Sequence, residues 1–418
     1  MKKIALSLLL FSSYLNAGYT NTISLKSCID MAMNTHPDIN IAKQNIKFNQ
    51  LNENNIIGDY LPQVSVNLEY NPTKTIVLPV NGQFNTIETD GYSANLNLSQ
   101  KIWDYGRTFD SLKINQNNIN IAKYSLKDTK IGLALRTKLK YEEMYFYKKA
   151  VEVLKNDVEV KTELYKQAQA QVKEGVKSQI EEKRFLSALY NSKDTLMNTQ
   201  LDYEKSKESL SILINSKLGY DIVLEDSEID NHYLIYVDKR YDLHNAPGSK
   251  ILLEDIKRNS HNIKYIQKQH YGSINLKANL SYQNTINEYD TSYVGIVLDL
   301  PLYNGGKISN QVQQARINKL KSDYKLSSKL KLLKDDLNNS VKDARKFHQT
   351  IASKKLQITN AEETLDIVTT RWKVGMATYI EVLDSNSILL NSKLNLLQNK
   401  LGLKQTLHRL EYLNGEIR

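Results

Sequence analysis

Apolar positions set two different periods along this chain. Leu112, Ile119, Leu126 and Leu133 recur every seven residues, the spacing of a helix that packs along a neighbour. No proline occurs between Pro79 and Pro247, so nothing in the sequence breaks that helix early. The pattern predicts one helix from about 107 to 171, on the order of 100 Å long at 1.5 Å per residue, and a second returning from 178 to about 216. Earlier, a helical pattern runs from Ser24 to Asn55, with Pro37 opening its main segment. Between these helices the period falls to two. Val64, Val66, Leu68 and Tyr70 alternate with Ser65, Asn67 and Glu69 between Pro62 and Pro72. A stretch rich in Asn, Thr and Gly follows and reads as a loop. Alternation then resumes at Tyr92, Ala94, Leu96 and Leu98. The predicted strands, about 63–70 and 92–100, approach the roughly 9–11 residues that cross a bilayer when tilted.

The whole arrangement then recurs. Ile274, Leu276, Ala278, Leu280 and Tyr282 alternate over about 274–282, and Val294, Ile296, Leu298 and Leu300 over about 292–300. Gly106, Tyr124, Gly175, Glu181, Asn191-Ser192-Lys193 and Leu210 meet Gly306, Tyr324, Gly375, Glu381, Asn391-Ser392-Lys393 and Leu410 at one offset, as in 375 − 175 = 200. A single register held over more than a hundred residues reads as an internal duplication. At its centre are two turns. In each, a glycine tolerant of positive φ (Gly175, Gly375) precedes a helix-capping hydroxyl (Ser178, Thr378), and a glutamate follows three residues later (Glu181, Glu381). That is the pattern of a capping box. The expected organisation is a first repeat over 18–217 with its helical hairpin at 107–216. A connector over 218–246 follows, with broken periodicity and acidic residues from Asp221 to Asp230, expected to pack on the outside of the helices. The second repeat covers 247–418, with its hairpin at 307–414.

Composition and charge narrow the class. Lys2 and Lys3, the apolar run from Ile4 to Phe11 and the small Ala17 make 1–17 a predicted signal peptide, too short for a transmembrane helix. No later run of about 18 apolar residues follows. The only cysteine, Cys28, cannot form an internal disulfide. A lipidation motif there would require the apolar core to lie closer and Lys26 to be absent, so Cys28 is expected as a buried, unmodified helix residue. The formal charge of +10 and mean hydropathy of −0.49 come from basic residues interleaved with Asp and Glu along helices. That is how solvated helical faces look, and no nucleic-acid partner is expected. The seven histidines are dispersed, with neither a metal-ligand spacing, a phosphate loop nor a nucleophile elbow. No enzyme activity, cofactor or metal is expected.

Four strands cannot close a barrel, and open edges are not tolerated in lipid, so a chain of this kind must oligomerise if the strands enter a membrane. An exported structural coiled-coil protein of the envelope is the alternative, and the alternating strands argue against it. The chain resembles the TolC family of outer-membrane efflux proteins over essentially all of its mature length. The resemblance rests on His36-Pro37-Asp38-Ile39, Trp103-Asp104-Tyr105-Gly106-Arg107 and the segment from Leu300 to Lys307. Above all it rests on Val374-Gly375-Met376-Ala377-Thr378 leading to Glu381-Val382-Leu383-Asp384. It implies a mixed fold: a homotrimer with a twelve-stranded β-barrel in the outer-membrane lipid and a long α-helical barrel in the periplasm. It further implies a duct, in efflux or type I secretion, that meets a periplasmic adaptor and an inner-membrane RND or ABC transporter. Carried onto this chain, it puts entrance carboxylates at Glu381 and Asp384, with Glu181 in the equivalent place of the first repeat. Adaptor-docking tips fall at Gly175, Val176, Ser178, Gly375, Met376 and Thr378. Trp372 stands where a latch tyrosine is found, with a packing role as the alternative, whereas Ala377 replaces a basic latch residue of some members.

Overall fold

A computed structural model describes residues 22–80, 82–219, 222–285 and 287–415. The signal segment expected at 1–17 and Asp221 of the connector lie outside the described residues. The chain is mostly helical, with α1 (Leu25–Thr35), α2 (Pro37–Gly58), α3 (Arg107–Lys173), α4 (Gln179–Ile214), α5 (Tyr233–Val237), α6 (Pro247–Gln267), α7 (Lys307–Lys373) and α8 (Tyr379–Leu413). Its strands are β1 (Thr22–Ile23), β2 (Gln63–Val80), β3 (Gln83–Trp103), β4 (Val223–Leu224), β5 (Ser273–Asn284) and β6 (Glu288–Asp299). The long helices α3 and α7 are both 67 residues. Two compact units divide the chain. One takes residues up to 37 with 130–241 and 335–418, and the other takes 38–129 with 242–334.

The second of these units holds an antiparallel sheet in the order β2-β3-β5-β6, with β2 and β6 at its edges. Direct pairing of Val64 with Leu98, Leu98 with Ala278 and Ala278 with Val294 lines apolar residues along one face. Ser65, Asn97, Asn279 and Tyr293 line the other. The apolar face is not covered among the described residues. Leu68, Val294 and Ile296 are each more than 70% exposed. The expected loop after Tyr70 is a correction. The ladder continues past Pro72 to Val80, shifting register between Asn71 and Lys74, and then pairs Ile76 with Ile87 before turning at Gly82. Pro72 removes a ladder donor, which an interior strand would not tolerate; on an edge strand, at a bulge, nothing is lost. Proline therefore misplaced the strand's end in the sequence.

Gly272 enters β5 with φ +71°, and a Cβ there would stand 1.9 Å from the carbonyl oxygen of Asp299. The overlap is with backbone, which cannot swing aside. Gly272→Ala is expected to destabilise this junction by at least about 2 kcal/mol, combining strained φ with a displaced strand end. Thermal unfolding followed by β-sheet circular dichroism checks this, and an unchanged midpoint would show that β6 yields freely.

In the other unit, Cys28 is fully buried in α1, and burial pushes its thiol up to about 12. The segment 218–246 is ordered along much of its length. β4 pairs in parallel with β1, and a 3-10 turn (Ile229–His232) leads into α5. Its anchors are polar. The Tyr141 hydroxyl of α3 reaches the carbonyl oxygens of Ile23 and Glu225 at 2.9 and 2.6 Å, and Lys148 donates to Ile222 at 2.6 Å. Lys404 of α8 pairs with Asp226. Burial pushes the Asp226 carboxyl up, but the bond and charge of Lys404 outweigh it and hold the group below the usual range. Beneath this, Lys138 meets Glu411 at 2.6 Å and His408 Nε2 lies 3.2 Å from Glu142, all four side chains buried.

Candidate functional site

Both turns singled out in the sequence belong to this same unit, and each is built by the same backbone geometry. Gly175 (φ +74°) donates to Val172 at 3.0 Å and Val176 donates to Gln171 at 2.9 Å, the paired bonds of a Schellman motif. Gly375 (φ +79°) and Met376 repeat it on Trp372 and Arg371 at 3.0 and 2.8 Å. The turns are neighbours, since the Gln171 amide donates to the Lys373 carbonyl at 3.5 Å. Around them Val176, Ile180, Val374, Met376 and Ile380 are all at least 60% exposed. Bulky apolar side chains are thus gathered in the open at two helical turns.

The caps differ from each other. Thr378 accepts from the Glu381 amide at 3.3 Å, and the Glu381 carboxylate accepts from the Thr378 amide at 2.7 Å, which closes the capping box. The Thr378 amide first, and then the Thr378 hydroxyl, which donates to the same carboxylate at 2.9 Å, hold the Glu381 carboxyl below its ordinary value. At the first turn the box expected from Ser178 and Glu181 does not close. Ser178 accepts from Ile180, while the Glu181 carboxylate turns away to accept the Trp372 indole N–H at 3.3 Å. Lys177 Nζ stands 3.9 Å from the same carboxylate. An indole donor and an ammonium together outcompete a solvent-exposed backbone N–H, so Glu181 joins α4 to α7 instead of capping α4.

Trp372 is fully buried. Its ring centroid is 5.1 Å from that of Phe185, in a cluster with Leu164, Ala168 and Val382. The sequence expected either a latch or a packing role at Trp372, and the side chain does packing and hydrogen bonding at once. Asp384 sits on α8, exposed, with no hydrogen bond or ion pair among the described residues. Ala377 packs on the Trp372 cluster. One feature escaped the sequence reading. Asp157 of α3, buried, accepts from Asn386 of α8 at 2.8 Å and from Lys161 at 2.9 Å, and Ser192 of α4 donates to it as well. Three helices are thereby tied by one carboxylate. The only sequence signal was Ser192, which stands in the repeated Asn-Ser-Lys triplet.

The family profile of outer membrane efflux proteins matches residues 28–216 and 255–416, and the chain belongs to that family. TolC of Escherichia coli (strain K12) is 26% identical over 171 residues, a match covering 35% of each chain, so only about a third of that relative's length is spanned. Among solved structures, CusC superposes with a TM-score of 0.80 at 17% identity, covering 97% of this chain and 96% of its own. The CmeC outer membrane channel of Campylobacter jejuni gives 0.79 at 15% identity, covering 94% and 85%.

Proposed function

We propose that three copies of this chain form the outer-membrane exit duct of a tripartite export system. The observation that carries this is the four-stranded sheet with an uncovered apolar face and two unpaired edge strands, in a chain of the efflux family. Edge-to-edge closure of β2 on β6 of the next copy gives a twelve-stranded barrel and leaves no open edge in lipid. The duplicated helical hairpins form the periplasmic tunnel, and a leader cleaved after Ala17 delivers the chain to the envelope. Substrates pass without chemistry from an RND or ABC pump of the inner membrane. The turns at Gly175, Val176, Ser178, Gly375, Met376 and Thr378 grip the adaptor, a role supported by the exposed apolar residues beside them. Glu381 and Asp384 ring the tunnel entrance, with Glu181 held back beside Lys177. The bond from Trp372 to Glu181 joins the two helical hairpins and acts as the latch.

The protein should fractionate with the outer membrane, migrate more slowly unheated, as the three-chain assembly, than boiled, and conduct ions in planar bilayers. Migration that heating does not alter, together with absent conductance, would favour the envelope coiled coil.

A further inference from the structure

A basic groove lies at the junction of strands and helices, within the unit that holds the sheet. It encloses about 650 Å³ and is lined by Lys264 of α6, by Lys268, His270 and Tyr271 of the 3-10 turn that follows α6, and by Gln313 and Arg316 of α7. No carboxylate lines it. Lys268 is anchored, 2.6 Å from the Asp110 carboxylate and donating to the Gly106 carbonyl at 3.2 Å. Lys264 and Arg316 are exposed, with no side-chain hydrogen bond or ion pair among the described residues. Tyr271 continues a row of rings, 5.4 Å from Tyr105, which is 6.3 Å from Trp103. That row stands where β3 ends and β5 begins. Gly106 also borders a second hollow of about 310 Å³, lined by Ile57, Tyr60, Trp103, Phe109 and Leu112 together with Thr108 and Asp104, whose buried carboxylate accepts from the Thr108 amide.

We propose that this groove seats the phosphate headgroup of an anionic lipid, from the leaflet at the helical end of the barrel. The inference rests on the barrel reading given above. Tryptophan and tyrosine collect at the level of lipid headgroups on barrels, so the ring row marks that level. Cationic side chains immediately beyond it attract anionic headgroups. The largely apolar hollow bordered by Gly106, whose carbonyl Lys268 contacts, suits an acyl chain and favours a lipid over a free anion, which would have no use for it. Lys268 is fixed by Asp110 and serves as the floor, and Lys264 and Arg316 supply the two uncommitted charges.

The test uses the purified assembly in detergent, offered equal phosphatidylglycerol and phosphatidylcholine, with retained lipid read by native mass spectrometry. Phosphatidylglycerol should be retained over phosphatidylcholine by about fivefold or more. Lys264→Ala with Arg316→Ala should remove most of that preference without changing the oligomer. Lys264→Arg with Arg316→Lys should keep it, and millimolar inorganic phosphate should not compete it away. Equal retention of the two lipids overturns the proposal, as does a preference untouched by the alanine pair or abolished by phosphate. Loss of the oligomer in the alanine pair overturns it too, since the groove would then be closed by a second copy of the chain. An assembly that forms but shows no lipid preference refutes the groove alone; a wild-type monomer refutes the barrel reading with it.

Discussion

Trp372→Ala should lower the stability of the paired helical turns by roughly 3–5 kcal/mol, the largest single-residue effect in the molecule. The indole is fully buried against Phe185, Leu164, Ala168 and Val382, so truncation leaves a cavity where four helices meet. It also strips Glu181 of its indole donor and leaves that carboxylate to Lys177 alone. Trp372→Phe separates the two contributions: most of the packing stays, while only the hydrogen bond goes, at a cost of about 1–2 kcal/mol. Limited trypsin cleavage after Lys373 should speed up in both variants, far more in the alanine. If the bond is a latch between hairpins, Trp372→Phe should also raise single-channel conductance. Cleavage and conductance equal to wild type in both variants would mean the turns are held elsewhere.

The second large effect is on ion selectivity. Three copies of Glu381 and Asp384 converging on a constriction make a field that attracts cations, and the low dielectric around it strengthens that field. Channels should be cation-selective at neutral pH and blocked by trivalent cations from the entrance side. Asp384→Asn should weaken the block on the order of tenfold, and more than Glu181→Gln, because Glu181 is engaged with Trp372 and Lys177 whereas Asp384 is uncommitted. Glu381 carries two duties. Thr378 holds its carboxyl below the usual value within one chain, and like-charge repulsion within a ring pushes in the opposite direction. The sign of the cap contribution follows from the lowered folded-state value. It is present above the unfolded carboxyl pKa and is lost as pH falls through the folded one. Selectivity should therefore fade on acidification while the cap still holds. Unchanged selectivity and block in the double variant Asp384→Asn, Glu381→Gln would place the acidic ring elsewhere.

The sequence exposed what periodicity and turn chemistry control. The seven-residue spacing from Leu112 to Leu133 and the proline-free run carried α3 to within two residues of its end, because a long helix has few ways to stop. The glycine turns at 175 and 375 were equally plain, since a Schellman turn demands positive φ. What stayed hidden were choices between partners. Pro72 suggested a strand end, yet edge position and a bulge absorb it. Ser178 and Glu181 spelled a capping box, but the competing donors, Trp372 and Lys177, include one 191 residues away. Asp157, Glu142 and His408 read as surface residues on polar helices, and their burial depends on which helices pack together, which no local pattern encodes.

The central claim is that the exposed edges of β2 and β6 are closed by other copies of the same chain. Light scattering on the detergent-solubilised protein, corrected for bound detergent, measures this directly. The expected result is a single species with the mass of three chains and intact β-sheet signal. A monodisperse monomer retaining that signal would contradict it.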